Sequence, residues 1–385
     1  MKIRSTTVVA IHLAVGILGF ANAGCAQQVT PPTAPSAAPP LSAAAILEQS
    51  QQISEAQLKI LSDQKRNPTD WVGGTLWAGV AEFSHVSNRP LEAQAIVQMG
   101  EKVQWQTINH TKTPFHADDD CIGQTFLDAY AQRREARFLE PLQKDMDALV
   151  EHLNVPADEK TKLTWWWCDA LFMAPAVLAR MSNVTGDSKY IDAMDKEWWR
   201  VAGQLYDPQE HLYYRDARFL KMTTKNGKKV FWSRGNGWVF AGLARVLTWM
   251  PKNYPTRPKY EQTFQAMAAK LLSIQGKDGA WRTSLLDAEE FPEPETSGTA
   301  FYCYGMAWGV NEGLLPRATY APAATKAWTW LLENKRPDGV PGRVQKVGDR
   351  PGATNAQDTQ LYATGAMLMA GTELMKLAAS GPPLS

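Results

Sequence analysis

The sequence predicts an all-α fold, a closed (α/α)6 barrel made of six helical hairpins. Three observations point to it. Apolar residues recur at helical spacing in twelve segments. Period-two strand patterns are scarce. Segments that are apolar on every side alternate with amphipathic ones.

In chain order the helical segments are 45–64, 71–86, 90–104, 121–133, 138–152, 167–183, 188–203, 235–249, 258–275, 298–311, 317–333 and 357–378. Turns rich in Gly, Pro and Asn separate them. Some starts carry capping signals: Thr185-Gly186-Asp187 leads into SKYIDAMDKEWW, and Pro316 leads into RATYAPAATKAWTWLL. Twelve helices without a sheet can form a superhelical stack or a closed toroid of inner and outer helices. The stretch WWWCDALFMAPAVLARM is apolar almost all round and suits an inner helix, whereas KYIDAMDKEWWRVAGQLY is amphipathic and suits an outer one. The alternation favours the barrel.

Ahead of the helices lie two segments of different composition. Residues 1–26 have the form of a secretory signal: Lys2 and Arg4, an apolar run from Val8 to Phe20, then Ala21-Asn22-Ala23. Cys25 after Ala23-Gly24 also resembles an imperfect lipoprotein box, so a lipid anchor is a second option. Residues 27–44, rich in Pro, Ala and Ser, read as a disordered tether. The rest, 45–385, reads as one domain, the (α/α)6 barrel. The expected location is periplasmic or secreted, and no other stretch is long and apolar enough to span a membrane.

With 40 basic against 39 acidic residues, the charge balance gives no reason to expect nucleic acid or an anionic membrane surface as partner. Cys121, Cys168 and Cys303 lack paired spacing and are expected as buried thiols. The six His are scattered, which argues against zinc. The outlier is tryptophan, at fifteen residues. About half would fill a helical core, and the other half could line a cleft that stacks on sugar rings.

Asp169 is the first candidate for chemistry. It stands between Trp165–Cys168 and Ala170-Leu171-Phe172-Met173, at the head of an apolar helix. Asp at a helix start is commonly an N-cap. Desolvation by tryptophan would instead raise its pKa and make it a general acid near neutral pH. The second candidate is the run Asp118, Asp119 and Asp120 in FHADDDCIGQTFLDAY. Such a run often marks a solvated turn, but one carboxyl facing Asp169 would keep the two from both ionising. The third is FWSRGNGWVFAG, where Arg234 and Trp238 sit among glycines that permit close backbone approach; an Arg in an aromatic pocket can grip a carboxylate through two parallel hydrogen bonds. Tyr214, Arg215 and Arg218 precede it in HLYYRDARF. Trp281, Arg282, Glu295, Thr296 and Ser297 are possible rim groups.

The strings WWCDALFMAP, DKEWW, LYYRDARF, FWSRGNGWV, PETSGTAF and DTQLYATGAMLMAG together resemble the unsaturated glucuronyl and rhamnogalacturonyl hydrolases, glycoside hydrolase family 105 with its relative 88. The similarity runs from about residue 45 to residue 378, in family order. It implies the same six-hairpin barrel. It also implies removal of a terminal 4,5-unsaturated uronic acid from lyase-generated oligosaccharides, by hydration of the C4=C5 double bond with an Asp that protonates C4 and assists water at C5. Neither metal nor organic cofactor is implied. By the resemblance the catalytic Asp falls on Asp169, Trp167 walls the pocket, Arg234 contacts the uronate and Trp238 stacks on it. The second family carboxylate falls in the Asp118–Asp120 run, assigned to Asp119 with Asp120 beside it, and Arg215, Tyr214 and His116 join the substrate contacts. Arg215 stands where relatives carry a His, and their His-Lys pair has no clear counterpart near Lys162. Two other readings stay open at this point. A sugar epimerase or isomerase on a similar barrel would call for a His pair, and a non-catalytic sugar-binding protein would have no use for an acid at an apolar centre.

Overall fold

The structure is a computed structural model that describes residues 41–66, 68–155, 163–381 and 384. The expected signal segment, Cys25, most of the tether and Lys162 lie outside the described residues. Among the described residues fourteen α-helices follow one another: α1 (Ala43–Asp63), α2 (Trp71–Ser84), α3 (Leu91–Val103), α4 (Ala117–Asp120), α5 (Gly123–Arg133), α6 (Glu140–Asn154), α7 (Ala170–Met173), α8 (Pro175–Thr185), α9 (Lys189–Leu205), α10 (Ser233–Trp249), α11 (Arg257–Ser273), α12 (Thr296–Asn311), α13 (Arg317–Glu333) and α14 (Leu361–Ala379). Two-residue strands form two antiparallel pairs, β1 (Tyr206–Asp207) with β2 (Leu212–Tyr213), and β3 (Trp281–Arg282) with β4 (Pro294–Glu295).

Around the ring α2 touches α5, α5 touches α8, and α8, α10, α12 and α14 continue in turn until α14 packs back on α2. These six form the inner layer. Burial follows the predicted alternation: α12 is buried along nearly its whole length, while α9 buries one face only. The helices α1, α3, α6, α9, α11 and α13 make the outer layer. The toroid is thus the observed form, and the superhelical stack is not.

Eleven of the twelve expected segments are single helices within a few residues of their predicted ends. The twelfth is broken. The segment expected at 167–183 starts only at Ala170, because the residues before it are tied across to another segment: Trp167 bridges to Asp216, and the Cys168 amide donates to the Arg215 carbonyl at 2.8 Å. It breaks again at Ala174, since Pro175 brings no N–H to continue the ladder. Ahead of 121–133, the residues Ala117–Asp120 wind a separate short helix. The break and the short helix both carry candidate carboxylates.

Closure requires α2 and α14 to approach at backbone distance. A Cβ on Gly79 would stand 2.1 Å from the Gly365 carbonyl oxygen, and one on Gly365 would stand 2.2 Å from that of Thr75. Neither backbone can give way without opening the ring. Gly365→Ala is therefore expected to lower the unfolding free energy by about 1–3 kcal/mol or more through overpacking. A urea unfolding midpoint equal to that of the parent would refute this account of the seam.

Candidate active site

The inner helices begin at one end of the barrel, and the segments leading into them surround a cavity of about 310 Å³. Its walls are Trp71, Asp118, Trp167, Asp169, Met173, Arg215, Val347, Gly348 and Asp349. Five stretches far apart in sequence contribute.

Asp169 occupies the N-cap position of α7, yet its side chain makes no capping hydrogen bond. The carboxylate instead turns into the cavity, where Arg215 Nε lies at 3.5 Å and the Cys168 thiol donates to it at 3.6 Å. Burial raises its pKa, and the charges of Arg215 and Arg234 work against that rise. Asp118 faces the same cavity. Burial first, and then the negative charges of Asp169 and Asp119, push its carboxyl up to about 8. Both carboxyls are therefore held above the ordinary carboxylate range, each disfavouring the charge of the other.

Asp119 and Asp120, the expected partners of Asp169, are not among the cavity's lining residues. Asp119 accepts hydrogen bonds from the His110 amide at 2.9 Å and the Thr111 hydroxyl at 2.7 Å, and so fastens the loop before α4. Asp120 is buried with one oxygen lacking a partner; burial first, and then the negative charges of Asp119 and Asp145, raise its pKa well above the ordinary carboxylate range. Consecutive residues of a helix are rotated by about 100°, so three adjacent carboxyls face three ways. Only Asp118 faces inward.

Arg234 and Trp238 also depart from expectation. Arg234 is completely buried, sandwiched between the rings of Trp232 at 4.4 Å and Tyr362 at 4.9 Å. Its two terminal nitrogens donate to the carbonyls of Gln345 and Lys346 at 2.8 and 3.0 Å. It is not among the residues that line the cavity, and it positions the loop that brings Val347, Gly348 and Asp349 there. Trp238, one turn later on α10, is also fully buried and packs on Phe172, Phe301 and the edge of Trp71. The aromatic wall belongs instead to Trp71, whose ring stacks on Tyr362 at 5.5 Å, and to Trp167.

The cation that the cavity does receive is Arg215. It is tied to buried Asp216 at 2.9 Å, and its guanidinium lies 5.2 Å from the ring of Trp166, one of the few exposed large apolar side chains. Tyr214, next to it, points away, as successive residues of an extended segment do; its hydroxyl donates to Asp207 at 3.0 Å. His116 caps α4 and lies behind the wall, its ring 4.4 Å from that of Trp167. Burial lowers its pKa, with Arg215 adding to the effect. Across the mouth, Arg218 joins Asp216 to Asp349, both at 2.8 Å. Of the rim candidates, Glu295 is buried and accepts from the amides of Ser297, Gly298 and Gln345, which makes it an anchor of the same loop.

Tryptophan is distributed less evenly than expected. Eleven of the fifteen are buried, and two, Trp71 and Trp167, line the cavity. Cys121, Cys168 and Cys303 are buried free thiols, as expected. No described helix is long and apolar enough to cross a membrane.

A helical toroid holding two buried acids with raised pKa, an arginine and aromatic walls in one cavity defines a carbohydrate-processing enzyme. Sequence comparison gives the group. Residues 45–378 match the family model described as Glycosyl Hydrolase Family 88, and the chain belongs to that family of glycoside hydrolases. It is 42% identical over 325 residues to an unsaturated 3S-rhamnoglycuronyl hydrolase of Formosa agariphila, covering 80% of this chain and 85% of the relative. Among solved structures, a family 88 glycosyl hydrolase from Bacteroides vulgatus superposes with a TM-score of 0.79 at 28% identity, over 87% of this chain and 99% of that one. A protein described as a polysaccharide lyase superposes with a TM-score of 0.81, also at 28% identity, over 88% of this chain and 99% of that chain.

The acid pair has a consequence for stability. Between about pH 4 and about 8 the folded chain holds a proton on Asp118 that the unfolded chain has lost. Stability therefore falls as pH rises across that window. Asp118→Asn should flatten the fall and melt higher than the parent at the alkaline end. Thermal melts at both ends of the window check this, and parallel profiles for the two proteins would contradict it.

Proposed function

We propose that this glycoside hydrolase removes the terminal 4,5-unsaturated uronic acid from oligosaccharides left by a polysaccharide lyase. The observation that carries the reading is the placement of Asp118 and Asp169 in one cavity with Arg215. Relatives described as unsaturated rhamnoglycuronyl hydrolases support the substrate class. An ordinary glycosidase sets two carboxyls on either side of the glycosidic bond. Hydration of a double bond needs one acid that also serves as a base.

Asp169, protonated, gives its proton to C4, and positive charge develops on C5 and the ring oxygen. Asp169, now a carboxylate, takes a proton from water as the water oxygen bonds to C5. The resulting hemiketal opens to a C5 ketone, and the hemiacetal left at C1 collapses to an aldehyde, releasing the remaining sugar as an alcohol. Asp118 stays neutral up to about pH 8, so Asp169 works beside a carboxylic acid and not a second anion. Arg215 supplies the positive charge that the substrate carboxylate requires. Arg234 acts at one remove, through the loop it holds.

Our proposal also places the enzyme outside the cytoplasm, on the strength of the charged, apolar and small-residue order of residues 1–26. The same residues leave a lipid anchor at Cys25 as the alternative to cleavage after Ala23.

Loss of the conjugated double bond's ultraviolet absorbance reports the reaction directly. Asp169→Asn should slow it by roughly two to four decades with the fold intact. For the parent, kcat/KM should fall as pH rises through about 8, and Asp118→Asn should lack that fall. Absorbance that grows when the enzyme meets saturated polymer, with no loss on unsaturated disaccharide, would replace the hydrolase by a lyase.

A further inference from the structure

A larger cavity, about 420 Å³, lies on the outside of the barrel between α9 and α11. Trp199, Gly203, Tyr206, His211 and Lys259 line it, with Ala202 on its floor. We infer that this groove is a second carbohydrate-binding site, which takes a saccharide bearing a carboxylate or sulfate group. The inference is independent of the hydrolytic reading, because it concerns binding alone.

Gly203 stands in the last turn of α9, where glycine is a poor helix former. Packing does not ask for it: a Cβ there would meet nothing within 4 Å. What the glycine does is keep the floor of the groove clear. The rim is built to hold its shape. Asp207 accepts the amides of Gln209 and Glu210 at 3.0 Å each, and this turn sets His211 at φ 55°, in the left-handed region. The imidazole is then fixed by a 2.9 Å hydrogen bond with the Tyr206 hydroxyl.

Charge decides the ligand. The acids around the groove are occupied: Asp207 pairs with Lys229, Glu210 with Lys270, and Asp195 accepts from Trp199, Thr256 and Tyr260. Lys259 is exposed and has no carboxylate partner among the described residues; its ammonium lies 3.6 Å from the centre of the Trp199 ring. An apolar floor with aromatic sides suits the C–H face of a sugar ring, and the free ammonium selects one with a negative group. The groove also ends at the β1–β2 hairpin, and four residues beyond His211 the chain reaches Arg215 of the catalytic cavity. A chain held here is kept close to the cleft that processes its end.

The test uses full-length protein, with polygalacturonate, dextran sulfate and uncharged dextran as probes in affinity electrophoresis. Gly203→Leu fills the groove and Lys259→Glu reverses its charge, while Asp118, Asp169 and Arg215 stay in place. The parent should be retarded by a charged polymer and not by dextran, and both variants should bind roughly tenfold more weakly or worse. Retardation by one charged polymer alone identifies carboxylate or sulfate as the preferred group. Hydrolysis of an unsaturated disaccharide should be unchanged in both variants. No retardation of the parent by either charged polymer, or variants retarded like the parent, overturns the site. So does a fall in disaccharide hydrolysis in the variants, which would make the groove part of the catalytic cleft. Gly203→Leu should melt no lower than the parent; if it does, Lys259→Glu carries the test. Binding without any hydrolysis would count against the proposed activity alone.

Discussion

The carboxyl of Asp169 is withdrawn from water beside a second acid, Asp118, with Arg215 as the nearest cation. Burying ionisable groups costs several kcal/mol unless they are paired or protonated, and much of the local structure answers that requirement. The helix that would have run through Trp167 is broken, so that Trp167 and Cys168 can pair with the segment carrying Arg215 and Asp216. The short helix α4 turns Asp118 inward and sends Asp119 and Asp120 elsewhere. Both irregularities in an otherwise regular ring therefore lie where the charges are, which is where local rules are expected to yield to function.

Ring closure supplies the rest. Trp71, Asp118, Asp169, Arg215 and Asp349 are drawn from stretches nearly 280 residues apart, and they meet because every inner helix starts at the same end. The loop carrying Val347–Asp349 has no regular structure to hold it. Arg234 grips two of its carbonyls, Tyr362 donates to one of them, and Glu295 accepts a further amide. An arginine buried between two aromatic rings is a rigid donor, and here that rigidity is passed to the cavity wall.

The cavity and the outer groove share the β1–β2 hairpin. One side of it leads to Arg215, and the other presents His211 and Tyr206. Asp207 anchors both, through its turn amides and through Tyr214 and Lys229. Tyr214 thus serves the site by holding the hairpin and not by touching a sugar.

Helix positions, the alternation of inner and outer layers and the importance of Asp169 were legible in the sequence, because periodicity and an isolated acid in an apolar run are local signals. The resemblance marked Arg234 and Trp238 as part of the site, but a motif does not tell a residue that touches substrate from one that braces a loop behind it. Nor could the run at 118–120 reveal which acid faces inward: that depends on rotation about a four-residue helix, fixed by the His116 cap and the loop held by Asp119. Tryptophan count overstated the cleft, since composition does not distinguish a ring that fills the core from one that lines a wall. The sequence by itself determined the helices and the chemical types available to the site. Only the tertiary structure decided which side chains reach the cavity, because that choice is made by contacts between segments remote in the chain.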